Sequence, residues 1–415
     1  MIFRCKSNNP SRRTATACAL AAGLCGLLVA GGAIASLPQA KAPAARAEKP
    51  DPEVMLIEVY KELAANHLRQ AQQKADVLVE AYPNFRLGHL IRGDLLLMHT
   101  RPVSTLGAVA NAPEEKLRNL RDEAMVRLKY LRERPDPNLV PRVILQLRED
   151  QKHALIVDAK RSRMYVYENE RGQLKFVKDY YISQGKLGVN KLKEGDQKTP
   201  IGIYYITGRL PGARLPDFYG SGALPINYPN EWDRLNGRSG SGIWLHGTPS
   251  DSFSRPPLSS DGCVVLTNPD LHTLAESVEI GKTPIVISES VEFVTKAKLD
   301  SDRNIAAMLV DRWRRDLEGL NPTALMGNYS SRFKSERGED LGTWFPRNHQ
   351  FFSRVKGLSI KLRDVSYFFY PGRDDLIVST FTQDAMVGKS KSSVRKRQYW
   401  AKEGGHWKIV YELNI

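Results

Sequence analysis

The sequence predicts a multidomain α+β protein, with an N-terminal helical hairpin domain, a central mostly-β domain and a C-terminal α+β domain. Three observations predict it. Apolar residues across positions 53–100 recur at three- and four-residue spacings, as an amphipathic helix requires. After Pro141 the pattern changes to short β-branched and aromatic runs separated by turn residues, as in an all-β core. From Asp302 a helix comes first and alternating strands follow. The 415 residues suffice for two to four domains with a core each, and the hydrophobic share of 41% is ordinary for a soluble protein.

The N-terminal stretch precedes any fold. Arg4, Lys6, Arg12 and Arg13 form a basic head, and no further charge appears before Lys41. Within that gap, residues 17–35 form an Ala/Gly/Leu run closing on small residues, with Ala33-Ile34-Ala35 as a cleavage site. This is the tripartite pattern of a secretory signal, so residues 1–40 read as a signal peptide and 41–52, rich in Ala, Pro and Lys, as a linker. The alternative is a membrane tether, because the uncharged gap is long enough to span a bilayer. Composition favours cleavage, since the run is rich in Ala and Gly rather than Leu and Ile. The expected location is the periplasm or cell envelope.

Export interprets charge and cysteine content together. A net charge of +15 and a pI near 9.5 point to a polyanionic neighbour: nucleic acid, a membrane surface or an acidic cell-wall polymer. An exported protein does not meet nucleic acid. Cys5, Cys18 and Cys25 lie in the signal region, which leaves Cys263 alone in the mature chain. No disulfide framework or CxxC metal knuckle can then form, and no metal or cofactor is expected. A lone thiol in an oxidising compartment is a liability unless its chemistry is used.

The helical domain (53–140) opens with Leu56, Val59, Leu63, Leu68, Ala71, Ala75, Leu78 and Ala81, breaks at Tyr82-Pro83-Asn84, and resumes over 85–98. It resembles one tetratricopeptide-like hairpin, followed by a charge-rich helix over 114–134. One such unit cannot bury its apolar face, so it is expected to pack on the next domain or to form a homodimer through these helices. In the central domain (141–290), strands are expected at 154–158, 163–168, 176–182 and 202–207, with a Thr199-Pro200-Ile201-Gly202 loop entering the last. Residues 215–242 are irregular, with Tyr219, Tyr228 and Trp232 among Asp217, Asn230, Asp233 and Arg238; they read as the wall of a substrate cleft. Asn268 and Pro269 start a helix to about Val278, and residues 283–288 close the domain as a strand.

The C-terminal domain (300–415) begins with a helix over 302–320 carrying Ile305, Leu309, Trp313 and Leu317 on one face. Strands follow over 358–362, 365–370, 375–383, 395–402 and 406–412, the last two joined by a hairpin turning at Gly404-Gly405. Lys389, Lys391, Arg395, Lys396, Arg397 and Lys402 make this end basic, which reads first as a solvated face.

The chemistry concentrates between Ile243 and Leu266. An apolar run ends in His246-Gly247, a Pro/Ser-rich loop follows, and Ser260-Asp261-Gly262-Cys263 turns into a second apolar run. Histidine and cysteine stand 17 positions apart on structured elements with a loop that can fold them together. Such a pair suits acyl transfer through a thioester: an imidazole takes the thiol proton and returns it to the leaving amine. Cys263 is then the nucleophile and His246 the base, with the Gly247 carbonyl fixing the second ring nitrogen. The N–H groups of Gly262 and Cys263 are the oxyanion-hole candidates, since Gly262 lets the main chain approach substrate. Ser260, Asp261, Tyr219, Tyr228 and Trp244 are the candidates for substrate contact.

His246-Gly247, then Ser260-Asp261-Gly262-Cys263 and Val264-Val265-Leu266-Thr267-Asn268, resembles the active-site signature of YkuD-type L,D-transpeptidases. The likeness spans about residues 154–288 and includes the Thr199-Pro200-Ile201-Gly202 loop. It implies a cysteine enzyme acting on peptidoglycan stem peptides at the bond between diaminopimelate and the following D-residue. Two positions depart from the pattern: Asp261 stands where histidine is usual, and Val265 where arginine is often found. The C-terminal helix and hairpin resemble an NTF2-like domain, and the whole layout resembles a subgroup that includes cell-shape L,D-carboxypeptidases trimming tetrapeptides to tripeptides. Peptidoglycan is the implied partner, with a cell-wall or protein ligand for the NTF2-like domain. Three functions stay open: an L,D-transpeptidase-type enzyme with L,D-carboxypeptidase activity as its alternative, a non-catalytic wall-binding scaffold, and a cysteine amidase releasing proteins from the wall.

Overall fold

The computed structural model describes residues 50–108, 112–350 and 354–415. The signal peptide, most of the linker, and Cys5, Cys18 and Cys25 lie outside the described residues. No helix among the described residues is long and apolar enough to cross a membrane.

Four helices come first: α1 (Pro52–Ala64), α2 (Leu68–Ala81), α3 (Arg86–Met98) and α4 (Glu114–Arg132). Asp51 starts α1 by accepting from the Glu53 N–H, with Pro52 in the first turn where its missing N–H costs nothing. The periodicity carried across 56–81 conceals a chain reversal. Leu63 and Leu68 are five apart, a step no single helix face allows, and Asn66 between them adopts φ 60°, a left-handed conformation that asparagine tolerates. Leu56, Val59, Ala71, Ala75, Leu78, Phe85, Leu87, Ile91, Leu95 and Ala124 form the shared core.

The central region contains a five-stranded sheet in the order Gln173–Tyr181, Arg163–Glu170, His153–Asp158, Pro284–Ser288, Gly202–Tyr205. Only the pairing of His153–Asp158 with Pro284–Ser288 is parallel. A smaller sheet, in the order Val264–Val265, Trp244–His246, Gly222–Pro225, Leu210–Pro211, is joined to it by one apolar core. Leu155, Val157, Ile285 and Ile287 from the first sheet meet Leu224, Leu245 and Val264 from the second, with Leu271 and Leu274 of helix Asn268–Glu276 closing the side.

The C-terminal region packs the helix Lys296–Glu318 on a six-stranded sheet. Trp313 is fully buried and its indole N–H donates to the Tyr329 hydroxyl at 3.0 Å. The segments 358–362 and 365–370 are one strand, Leu358–Phe369, bulged where Asp364 takes φ 52°. The hairpin turns at Gly404 and Gly405, both at positive φ, with Glu403 opposite His406. This sheet also recruits the short strand Ile144–Gln146, which pairs with Leu358–Phe369 at its edge.

The basic C-terminal run divides between two duties. Arg397 is buried and pairs with Glu231, while Lys396 bonds the buried Glu412 at 2.9 Å. These two are structural cations rather than parts of a solvated face. Beside them Trp232 stacks on Tyr399, with centroids 4.4 Å apart and planes within 8°.

Candidate active site

His246 ends the strand Trp244–His246, which runs parallel to Val264–Val265 in the register Leu245 to Val264 and His246 to Val265. Side chains alternate along a strand and registered partners share a face. Leu245 and Val264 both enter the apolar core. Their neighbours Trp244, His246, Cys263 and Val265 therefore face the other way, which brings the imidazole and the thiol to one side of the sheet. The loop between the two strands only has to return the chain.

The imidazole is 1% exposed, and its Nδ1 lies 2.7 Å from the Gly247 carbonyl oxygen. A carbonyl can only accept, so Nδ1 carries the proton and Nε2 is left as the basic nitrogen. Gly247 is held in turn: its N–H donates to Tyr219 O at 3.1 Å, and any Cβ on it would strike the Asn268 side chain. Asn268 is not the helix cap. Thr267 caps the helix by accepting from the Asp270 N–H at 3.2 Å, which frees the Asn268 amide to donate to Thr248 O and accept from Ser221 N–H, both at 2.8 Å. One asparagine thus clamps the Gly220–Ser221 turn against His246-Gly247.

Cys263 is half-buried and its Sγ donates to the Gly242 carbonyl at 3.5 Å. Burial pushes its pKa above the ordinary thiol value; the Trp244 N–H and the charges of Arg255 and Lys191 work the other way, while Asp261 adds to the rise. Burial depresses His246 to about 4, against the Gly247 carbonyl bond that favours the charged ring. Both shifts favour a pair of neutral thiol and neutral imidazole.

The turn before Cys263 is built by Ser260. Its hydroxyl donates to Cys263 O at 2.6 Å and accepts from Gly262 N–H at 3.1 Å. Gly262 adopts φ +129°, and a Cβ there would come within 2.8 Å of Lys198 O. Two expectations change. Ser260 is buried and shapes the turn instead of facing substrate. The Gly262 N–H is spent on Ser260, which leaves the Cys263 N–H as the oxyanion candidate.

The expected cleft wall divides similarly. Tyr219 stays next to the candidate pair: its ring lies 5.1 Å from that of His246 and 5.0 Å from that of Trp244. Tyr228 does not. It is buried in the core, packs on Tyr204 and donates its hydroxyl to Ser239 O at 2.9 Å. Asn230 and Asp233 form a capping box on the helix Glu231–Leu235, which turns Trp232 toward the C-terminal sheet. Asp261 is exposed and bonds Lys186 at 3.0 Å and Gln197 at 3.3 Å at the mouth.

Two residues near His246 escaped the sequence reading. The Phe218 ring lies 5.7 Å from that of His246, and the Arg255 guanidinium lies 4.4 Å from the centre of the Phe218 ring. Adjacency of Phe218 to Tyr219, and the Arg255-Pro256-Pro257 run inside the connecting loop, were the available signals. Among the described residues no cluster of three or more His, Cys, Asp or Glu side chains could hold a metal ion.

Comparison with known proteins agrees with this geometry. Residues 152–287 match the YkuD model, the L,D-transpeptidase catalytic domain, and residues 305–413 match the Cds6 C-terminal NTF2-like domain. A solved structure of Bd1075 from Bdellovibrio bacteriovorus is 28% identical, with a TM-score of 0.59, over 66% of this chain and 98% of that one. The helical cell shape determining protein Pgp2 from Campylobacter jejuni shares the fold, at 24% identity and a TM-score of 0.56 over 69% of this chain and 98% of that one. A comparison with curated proteins gives no match.

Proposed function

We propose that this protein, in which a YkuD-type L,D-transpeptidase catalytic domain precedes an NTF2-like domain, cleaves the diaminopimelate–D-Ala bond of peptidoglycan stem peptides through a thioester on Cys263. The observation that carries the reading is His246, fixed by the Gly247 carbonyl at 2.7 Å, on the same sheet face as Cys263.

In the first half-reaction Nε2 of His246 accepts the thiol proton as sulfur attacks the scissile carbonyl. The Cys263 N–H faces the developing oxyanion, the C–N bond breaks, and the imidazolium returns its proton to the amine of the departing D-residue. In the second half-reaction water or an acceptor amine attacks the thioester, His246 takes that nucleophile's proton, and the thiol is restored. Water gives a tripeptide; an amine gives a crosslink.

The hydrolytic outcome has its own support. Val265 fills, with a buried apolar side chain, the position where crosslinking relatives often carry arginine, and the similar fold of Pgp2 belongs to a cell shape determining protein. The test is to incubate the purified protein with a defined tetrapeptide muropeptide and weigh the products. Loss of one alanine residue supports trimming, a dimeric product supports transpeptidation, and no product with either water or amine acceptors sinks the reading.

A further inference from the structure

The loop between His246 and Cys263 is fastened on two sides: its last residues pair with Gln184–Gly185 of the central region, and its middle is held by the helices. Phe253 lies between the rings of Tyr82 and Phe85, at 5.0 and 4.8 Å, and its N–H donates to Asn84 O at 3.3 Å. Asn84 donates to Ser250 O at 3.0 Å, and the Ser254 hydroxyl donates to the buried Glu123 of α4 at 2.7 Å. The next residue is Arg255, whose carbonyl accepts from the Tyr181 hydroxyl at 2.9 Å while Arg127 of α4 stacks on that same tyrosine at 3.8 Å. The main chain on both sides of Arg255 is therefore fixed by groups that belong to, or touch, the helical region.

That fixation holds a cation at Phe218, next to His246, without a counter-ion. The half-buried guanidinium lies over Phe218 and donates to Phe218 O at 3.5 Å. Asp261, whose charge it feels along with that of Cys263, is paired instead with Lys186 at 3.0 Å. Among the described residues Arg255 has no ion-pair partner. An arginine stays charged under such partial burial and is suited to bind a carboxylate with two parallel hydrogen bonds. A substrate cleaved at Cys263 supplies one close to its scissile bond. The free α-carboxylate of the departing D-residue is separated from the scissile carbonyl only by the amide nitrogen and one Cα.

We propose that Arg255 is the specificity residue that binds the free α-carboxylate of the departing D-residue, and that the helical region holds it in position through Phe253 and Ser254. The inference rests on the cleavage reading above, and its test separates the two. Binding is measured by calorimetry in the inert Cys263→Ala background, with three tetrapeptides: the free acid, its C-terminal amide, and the free acid amidated at the diaminopimelate carboxylate. Arg255→Ala should raise the Kd of the free acid and of the diaminopimelate amide about 10- to 100-fold, and that of the C-terminal amide by less than about threefold. Equal losses on all three peptides, or none, overturn the proposal; a loss confined to the peptides with a free diaminopimelate carboxylate assigns Arg255 to that group and overturns it too. Ser254→Ala should shrink the acid-to-amide preference several-fold, and Ser254→Thr, which keeps the hydroxyl, should restore it. Discrimination that persists in binding while the wild type releases no D-residue would retain the carboxylate site and discard the cleavage reading.

Discussion

Arg127 and Arg255 both touch Tyr181, the first through its guanidinium on the ring and the second through its carbonyl on the hydroxyl, and are treated in opposite ways. Arg127 is buried among carboxylates, pairing with Glu53 and Glu123 while Glu53 also bonds Arg163 at 2.6 Å. Burial pushes Glu53 up, but the charges of Arg127 and Arg163 outweigh it and hold the carboxyl below its usual range. Arg255 is offered an aromatic face and a carbonyl but no acid. A buried charge with every partner in place holds α1 and α4 to the central sheet. A charge whose partner is withheld is arranged for something that arrives. The same contrast separates Glu231–Arg397, buried and paired between the two matched domains, from the neutral pair His246 and Cys263.

Substitutions can break this contrast from either side. The largest effect is expected at the nucleophile: Cys263→Ala should reduce muropeptide turnover by about 10⁴-fold or more while leaving the unfolding transition in place. Retained turnover measured by product mass would remove Cys263 from the chemistry. On the structural side, Arg127→Ala leaves Glu53 and Glu123 buried without their shared cation, with an expected loss of about 3–5 kcal/mol in denaturant unfolding. A loss below about 1 kcal/mol would mean the network is not holding the helices.

Ser260→Ala removes both hydrogen bonds of the nucleophile's turn and should cost about 1–2 kcal/mol. Its clearest readout is slower Cys263 alkylation or acylation at unchanged secondary structure. The pH response tests the neutral resting pair. His246 titrates near 4 in the folded protein against 6.5 ordinarily, so the base is lost, and kcat/KM falls, only as pH drops through about 4. Its contribution to stability follows the same sign: full above about 6.5 and lost as pH falls toward 4, because the unfolded chain binds the proton first. Cys263 alkylation should rise only on the alkaline side of an ordinary thiol. A thiolate plateau at pH 6 would indicate a preformed ion pair instead. The smallest effect is expected for Arg255→Ala on stability, under about 0.5 kcal/mol, since no partner is left unpaired.

What the sequence disclosed follows from locality. Cys263 and His246 were legible because each adjoins an apolar run that reads as a strand, where the two-residue alternation sets which residues share a face. Gly262 was legible because its positive φ is a local demand, and the Gly404-Gly405 turn for the same reason. Tyr228 and Tyr219 have the same side chain in the same loop; only the surrounding sheets send one to the core and the other to His246. Asn268 was seen as a cap because Asn before Pro is a local signal, yet Thr267 took that role and the amide bridged Ser221 and Thr248.

The sequence by itself determined the order of helical, β-rich and α+β regions and singled out His246 and Cys263 as the proposed base and nucleophile, since each depends on periodicity or on a short motif. The tertiary structure alone decided which charges are paired. Glu53 reaches Arg163 and Glu231 reaches Arg397 across more than a hundred positions, and nothing in the intervening residues encodes those distances. The same long-range packing that satisfied those cations left Arg255 over Phe218 without an ion-pair partner among the described residues.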